Sequence, residues 1–499
     1  MQLTAISPHR DEIREEFALA FQDWFQERTA AHMRAVRRAV GALREKNNQV
    51  RRRAFATAVD GLLADWREDE LTAVRAAYRR WKEQPTAELA QPVLTALDEW
   101  PDVSRPVELA WQDIGGGTSA IARYIGARFE GQESIGVDVL FGGGTDIYLR
   151  FAERKLLQKI DMPRSVMDRI RPQLNGIPLY DPGGRWYGPM LSSFGILYNR
   201  RVLGRIGQPE PVHWADLGRP GLRSWVAAGD PRVTGSVHMV YEIILQGQGW
   251  DPGLRMLLRM GANTHSFIRD SGTLTRTVSN GEVAAAGNLD ANALSAVARD
   301  PEGMGFELPP KETVINPDAV AVLKGAPRPQ LARAFVEFTL SDAGQRLILL
   351  RPGQPGGPRR HALGRLSVVE ALYAQFPPET RAVGNVNPFT VRDTIPYKDQ
   401  VANRRWDALN DLFGAWVVDA HPELTAAWQA VLDSGLDRQE RQRLEDELFA
   451  PPCSEAELAA HARSIADDSP RVRTATVTRW GEEARERYRR VRRLASGGR

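Results

Sequence analysis

Val107-Glu108-Leu109-Ala110-Trp111 followed by Gly115-Gly116-Gly117-Thr118, then Val137-Asp138-Val139-Leu140-Phe141 followed by Gly142-Gly143-Gly144-Thr145, present one layout twice in succession. Each copy is an apolar strand-like run, a glycine triplet closed by threonine, and a helix. In the first helix Ile121, Tyr124, Ile125 and Phe129 follow the helical period, and in the second Ile147, Tyr148 and Phe151 share a face. Strand alternating with helix predicts an α/β fold with parallel strands, and it puts both glycine turns at strand carboxyl ends, where open sheets bind small molecules. Glycine lets backbone N–H groups approach a ligand closely, and the helix that starts there aims a partial positive charge at it. Such turns also serve merely to reverse the chain; two of them at adjacent strand ends argue for a crevice. Neither is a nucleotide loop, because no Lys-Ser/Thr pair follows and the dinucleotide spacing is missing.

Working outward, Gln2-Leu3-Thr4-Ala5-Ile6, the loop Ser7-Pro8-His9 and a helix bearing Ile13, Phe17, Phe21 and Trp24 form a third strand-loop-helix unit. Between it and Val107 the chain reads as helix. Its apolar stripes are Met33, Val36, Val40 and Leu43, then Phe55, Val59, Leu62 and Trp66, then Leu71, Val74, Tyr78 and Trp81. This predicts an inserted hairpin or small bundle over residues 28–106, with Arg34, Arg37, Arg38, Arg44, Arg51, Arg52 and Arg53 as a solvated basic face. A crossing into a second lobe is expected near Pro209–Leu217, and a return near Glu312–Pro317. From about Tyr397 the chain reads as helix, with Trp406, Leu409, Phe413 and Trp416 on one stripe.

The 499 residues suffice for two or more domains, and 42% hydrophobic with 26% charged content sets disorder and fibrous classes aside. A net charge of +3 gives little reason to expect a nucleic-acid partner. The single cysteine, Cys453, excludes an intrachain disulfide framework and a cysteine zinc site. No run approaches the roughly 20 apolar residues that span a bilayer. The amino terminus reads as a strand and not as a signal peptide, so either the protein is cytoplasmic or a leader has been removed.

These residues resemble the bacterial extracellular solute-binding proteins of ABC importers, in the branch often labelled iron(III)-binding. The resemblance runs in order through Ile6-Ser7-Pro8-His9, Gly116-Gly117-Thr118-Ser119, Asp138 to Thr145, Ser193-Phe194-Gly195-Ile196-Leu197-Tyr198-Asn199, Trp214-Ala215-Asp216-Leu217, Asp230-Pro231-Arg232 with Thr234-Gly235-Ser236, and Ile315-Asn316-Pro317-Asp318-Ala319-Val320. It implies a two-lobed, type II periplasmic-binding-protein-like clamshell that closes on a small ligand and presents it to a permease in the inner membrane. It also implies a periplasmic protein whose leader has been removed. The expected division is lobe 1 at 1–27, 107–202 and 315–400, lobe 2 at 203–314, the insertion at 28–106 and a helical C-terminal extension at 401–499. The insertion lies outside the common pattern and is a candidate contact for the permease, another protein or a second copy.

Within that frame lobe 1 offers Ser7, His9, the turns with Gly116, Gly117, Thr118, Ser119, Gly143, Gly144 and Thr145, and Ser192 with Ser193. Lobe 2 offers Thr234, Gly235 and Ser236 at a helix start, where helix capping is the ordinary alternative, together with Asn288 and Asp290. Ferric-binding members carry adjacent tyrosines in the neighbourhood where this chain has Ala291 and Asn292, and iron(III) wants anionic oxygen ligands. A different metal set of His9, Asp290, Tyr187 and Tyr198 is conceivable but not required by spacing. The residues favour an oxyanion such as a phosphate, phosphonate or carboxylate, with Arg269, Arg276 or His265 as further charge. No cofactor, metal or catalytic residue is expected. The alternatives are a ferric-iron-binding protein, a cytoplasmic ligand sensor, and an enzyme, for which no His-Glu-x-x-His helix, nucleophile elbow or paired-carboxylate motif is present.

Overall fold

The computed structural model describes residues 1–66, 68–99, 106–391, 394–466 and 470–497. Strand β1 (Gln2–Ile6) lies in parallel between β2 (Glu108–Gln112) and β3 (Val139–Gly144). The β1-to-β2 crossover is the helix α1 (Asp11–Glu45), whose 35 residues span roughly 50 Å. Its first half packs Phe17 and Phe21 on the sheet. Its second half, with Met33, Val36, Val40 and Leu43 buried, packs against α2 (Gln49–Leu63) and α4 (Ala87–Asp98), and α3 (Thr72–Glu83) packs on α4. The boundary expected between residues 27 and 28 therefore falls inside one continuous helix. No helix breaker interrupts the apolar stripe there, so the lobe helix simply runs on into the bundle.

The two glycine turns lead into α5 (Thr118–Arg128) and α6 (Thr145–Glu153). After α7 (Arg164–Met167) and the hairpin of β4 (Gln173–Leu174) with β5 (Ile177–Pro178), the chain enters the 13-residue strand β6 (Tyr187–Asn199), buried along its whole length. Then follow α8 (Arg200–Arg205), β7 (Val226–Gly229), α9 (Gly235–Gln248), α10 (Trp250–Asn263), β8 (Thr264–Ile268), α11 (Ser271–Ser279), β9 (Ala285–Leu289), α12 (Asp290–Arg299) and β10 (Met304–Glu307). The chain returns along β11 (Ile315–Val322) to α13 (Pro329–Leu340), α14 (Asp342–Leu349), β12 (Leu366–Ser367) and α15 (Ala371–Gln375).

The strand order is β2-β1-β3-β11-β6-β9-β7-β8, with β10 and β12 also on β6. Strand β6 changes partner midway. Ser192 and Ser193 pair with Asn316 and Ile315 of β11, whereas Phe194 pairs with Leu289 of β9. The sheet thus continues from lobe 1 into lobe 2 through β6, and the first crossing of the chain lies at Ser193–Phe194, upstream of the Pro209–Leu217 segment that the sequence suggested. A proline-rich stretch resembles a linker, but here Trp214 and Leu217 are buried in the lobe 2 core.

The C-terminal extension comprises α16 (Asp399–Phe413), a π-helical turn at Gly414–Val418, α17 (His421–Asp433), α18 (Arg438–Leu448), α19 (Glu455–Ala466) and α20 (Pro470–Ala495). Its Trp416, Trp428 and Tyr488 are fully buried in one apolar core with the lobe 2 helices. Among the described residues, no helix is long and apolar enough to cross a membrane.

Candidate functional site

A cavity of about 690 Å³ opens between the lobes. Its lobe 1 wall is made by strand carboxyl ends and the turns after them: Ser7 to Arg10, Gly115 to Thr118, and Gly143 with Gly144. Its lobe 2 wall carries Thr234, Gly235 and Ser236 at the start of α9, Ser271, Gly272, Thr275 and Arg276 on α11, and Leu289 with Asn292 around the start of α12. Ser192 on β6 and Asn316 on β11 line it from the hinge.

The two helix starts nearest each other are α5 and α9. Gly117 precedes α5 and Thr234 precedes α9, and neither contributes a side-chain cap, so first-turn N–H groups of both helices are left for another acceptor. The Thr234 hydroxyl donates instead to the Arg269 carbonyl at 2.7 Å, so simple capping does not explain it. The approach is close: the Gly117 N–H donates to the Val233 carbonyl at 3.2 Å, and a Cβ on Gly117 would stand 3.5 Å from the Thr234 Cα. Thr118 fits between Gly143 and Gly235, where added Cβ atoms would come within 2.7 Å and 2.8 Å of its side chain. Gly143 has a φ of +95°, which glycine adopts without strain. Ser236 and Ser271 share a hydrogen bond of 2.6 Å beside them.

At the hinge, His9 Nε2 lies 3.0 Å from Asp318 Oδ2, and the Gly143 N–H also donates to that carboxylate. Arg365 Nη1 donates to Ser192 Oγ at 2.9 Å and stands 3.3 Å from Asp318. Burial alone would raise the Asp318 carboxyl, but His9, Arg365 and the Gly143 N–H outweigh it, so the group lies below the ordinary carboxylate range. Burial lowers His9 despite Asp318, which leaves a neutral imidazole donating to an ionised carboxylate.

Eleven residues singled out from the sequence line the cavity: Ser7, His9, Gly116, Gly117, Thr118, Gly143, Gly144, Ser192, Thr234, Gly235 and Ser236. Five others face elsewhere because each already has an internal partner. Ser119 Oγ donates to the Pro231 carbonyl at 3.4 Å, and Thr145 is fully buried with its hydroxyl 3.5 Å from Asp399. Ser193 donates from N and Oγ to Asp290, both at 2.8 Å, which consumes the two residues in a lobe-to-lobe bond. Asn288 donates to Thr275 Oγ1 at 3.0 Å. Burial pushes Asp290 up to about 6 against the opposing effects of Arg365 and Ser193. The alternative metal set is not assembled, since Tyr187 donates to the Ile160 carbonyl and Tyr198 to Glu210. Of the extra charges considered, Arg276 lines the cavity, while Arg269 and His265 do not.

Sequence reasoning missed Arg10, Arg14, Arg299, Arg365, Asn316, Asp318, Ser271 and Trp406, all of which line the cavity. Arg10 directly follows Ser7-Pro8-His9, and Asn316 and Asp318 belong to a motif read as the chain's return and as part of the family resemblance, not as part of the site. Arg365 has no local signal.

Residues 136–351 match the family model described as bacterial extracellular solute-binding protein. This part of the chain is similar to bacterial extracellular solute-binding domains. The chain is similar in fold to the periplasmic binding protein P5PA, with a TM-score of 0.57 and 16% identity over 83% of this chain and 99% of that one. It is likewise similar to apo ferric ion-binding protein A of Pasteurella haemolytica, with a TM-score of 0.51 and 12% identity over 83% and 96%. Iron-bound HitA of Pseudomonas aeruginosa gives 0.50 and 16% over 82% and 98%. The fold is therefore that of type II periplasmic binding proteins. In sequence, the chain is 31% identical over 158 residues, 32% of its length, to the phosphoglycerate transport regulatory protein PgtC of Salmonella typhimurium. It is 27% identical over 221 residues to an uncharacterized protein of Haemophilus influenzae. The chain spans 39% of the length of the Salmonella relative and 60% of the Haemophilus one.

Proposed function

We propose that this protein is the substrate-binding component of an ABC importer that works in the periplasm, closing on a small anionic solute and handing it to a membrane permease. The solute carries a phosphate-like oxyanion. The observation that carries this reading is the meeting of two uncapped helix starts, α5 from lobe 1 and α9 from lobe 2, on one cavity beside Ser271 and Arg276. Backbone N–H groups and hydroxyls arranged this way bind an oxyanion without needing a metal. Because each lobe supplies half of the donors, the ligand favours the closed state by its differential affinity, as a delivery protein requires. The cavity volume of about 690 Å³ suits a molecule of sugar-phosphate size. The name of the Salmonella relative, which mentions phosphoglycerate transport, agrees with this chemistry. Ferric iron is disfavoured because Ala291 and Asn292 stand where ferric-binding members have tyrosines and because the remaining oxygen ligands are engaged elsewhere.

Titration calorimetry with glucose 6-phosphate, glycerol 3-phosphate and ferric citrate tests the proposal. A phosphorylated probe is expected to bind. The double substitution Thr118→Val, Ser236→Ala should weaken it by about tenfold or more while circular dichroism stays unchanged. Binding of ferric citrate with no binding of either phosphate ester would overturn the reading.

A further inference from the structure

The lobes touch each other at two separate contacts, one toward each end of the cavity lining. At one end Gly117 touches Val233, next to the proposed oxyanion site. At the other, the loop before β12 meets α12: a Cβ on Gly364 would lie 3.3 Å from the Ala291 carbonyl and 3.1 Å from Ser295 Oγ. This second end holds its own cationic set, which meets the glycine turns through Asp318, the acceptor of the Gly143 N–H. Arg365 comes from that loop, Arg10 from the start of α1 and Arg299 from the last turn of α12; all three line the cavity.

Three donors on residues lining this region are buried with no hydrogen-bond partner: Arg365 Nε, Arg10 Nε and Asn316 Nδ2. Arg365 is only 5% exposed and Asn316 only 1%. Leaving such donors unsatisfied costs about 1–3 kcal/mol each, which an acceptor in the cavity would recover. The guanidiniums also repel one another: burial first, then the charges of Arg365 and Arg299, lower Arg10 from its ordinary value. The acidic groups lining the cavity here are Asp318, 3.3 Å from Arg365, and Glu12, 3.7 Å from Arg10. Asp290 lies behind them and accepts from Ser193 and the Ala291 N–H. Three guanidiniums face Asp318 and Glu12, and Asp290 also acts on Arg365, so the set is close to balanced and matches a singly charged carboxylate better than a second phosphate.

We propose that Arg10, Arg299 and Arg365, with Asn316, form a second anion subsite, and that the solute is two-headed, with a phosphate at the α5–α9 end and a carboxylate at the β12–α12 end. This rests on the phosphate reading of the first site. It makes the protein selective for phosphorylated sugar acids over the corresponding phosphorylated sugars and polyols. Arg365 holds the carboxylate from the hinge side. Arg299, which is exposed on lobe 2, reaches it from the opposite lobe, so the second head also contributes to closure.

The test compares matched pairs by calorimetry on the full chain: 6-phosphogluconate against glucose 6-phosphate, and 3-phosphoglycerate against glycerol 3-phosphate. In at least one pair the acid is expected to bind about tenfold more tightly or better. Arg299→Gln, a change at an exposed residue that leaves the fold intact, should weaken that acid by about fivefold or more and its neutral-tailed partner by less than about twofold. Equal affinities within both pairs, or equal losses for acid and partner in Arg299→Gln, overturn the second subsite alone. Failure of all four phosphate esters to bind the unaltered protein overturns it together with the reading on which it rests.

Discussion

Two large helical additions decorate this type II periplasmic-binding-protein fold, and they relate to the cavity in opposite ways. The N-terminal bundle, built from the second half of α1 with α2, α3 and α4, interrupts the β1-to-β2 crossover. Because α1 starts at the cavity and runs back along the sheet, the bundle hangs off the amino-terminal strand ends, and none of its described residues lines the cavity. The C-terminal extension is built into the clamshell. Arg405 makes two 2.7 Å hydrogen bonds to the fully buried Glu242 of lobe 2, while Asp407 stands 3.3 Å from Arg150 of lobe 1. Trp406 stacks on His238 at 3.7 Å and reaches the cavity wall. An addition at the far end of a sheet can vary without touching the ligand, whereas one that spans both lobes bears on how they move.

The largest test removes each addition. Truncation after Lys398 strips Leu424, Trp428 and Val431 from the lobe 2 core. At about 1.5–3 kcal/mol per large buried side chain, a core of this size exceeds the roughly 5–15 kcal/mol of a typical domain. The truncated chain should be insoluble or unfolded by circular dichroism. Excision of residues 31–106 with a short glycine-serine linker should instead leave a folded protein with unchanged affinity for its phosphate ester. A soluble, binding-competent truncation would break the comparison.

Single ion pairs sharpen it. Arg405→Ala leaves Glu242 buried without its cation and should lower stability by about 3–5 kcal/mol in urea unfolding. In the bundle, Arg28 bridges Asp65 at 2.7 Å and Glu337 at 2.6 Å, but His32 stands 3.4 Å from Asp65 as a second partner. Arg28→Ala should therefore cost less, about 1–3 kcal/mol, with ligand affinity unaltered.

The smallest effect concerns the joint between α6 and α16. Burial pushes the Asp399 carboxyl up to about 6, and burial together with Asp399 and Glu242 pushes Asp146 well above the carboxylate range. A raised carboxyl keeps its proton in the folded state after the unfolded chain has lost it, so stability falls as pH rises from about 4 to 6. Asp399→Asn should remove that loss, gaining about 1 kcal/mol over the unaltered protein at pH 8 and almost nothing at pH 4. An identical pH profile for the two proteins would show that the acid pair does not strain the joint.

The glycine turns, the Thr234-Gly235-Ser236 helix start and the apolar stripes were legible because each is a local pattern with a local cause. Ser193, Asn288 and Asp290 were drawn to the cavity by their strand-end positions, yet their polar groups found partners across β6, β9 and α11. Whether a hydroxyl faces a ligand or a neighbouring carboxylate depends on which strands lie side by side, and periodicity does not carry that. Arg365 shows the same limit from the other direction, since a loop residue before a two-residue strand has no pattern at all.

The sequence by itself determined the alternation of strand and helix, the glycine approach on both turns, the absence of the tyrosine pair and the presence of two helical additions. These follow from side-chain size, backbone freedom and hydrophobic period within a few residues. Only the tertiary structure decided that β6 exchanges partners at Ser193–Phe194, that arginines from residues 10, 299 and 365 converge, and that the C-terminal extension reaches both lobes. Those facts depend on contacts between segments hundreds of residues apart, where burial and charge act through space and not along the chain.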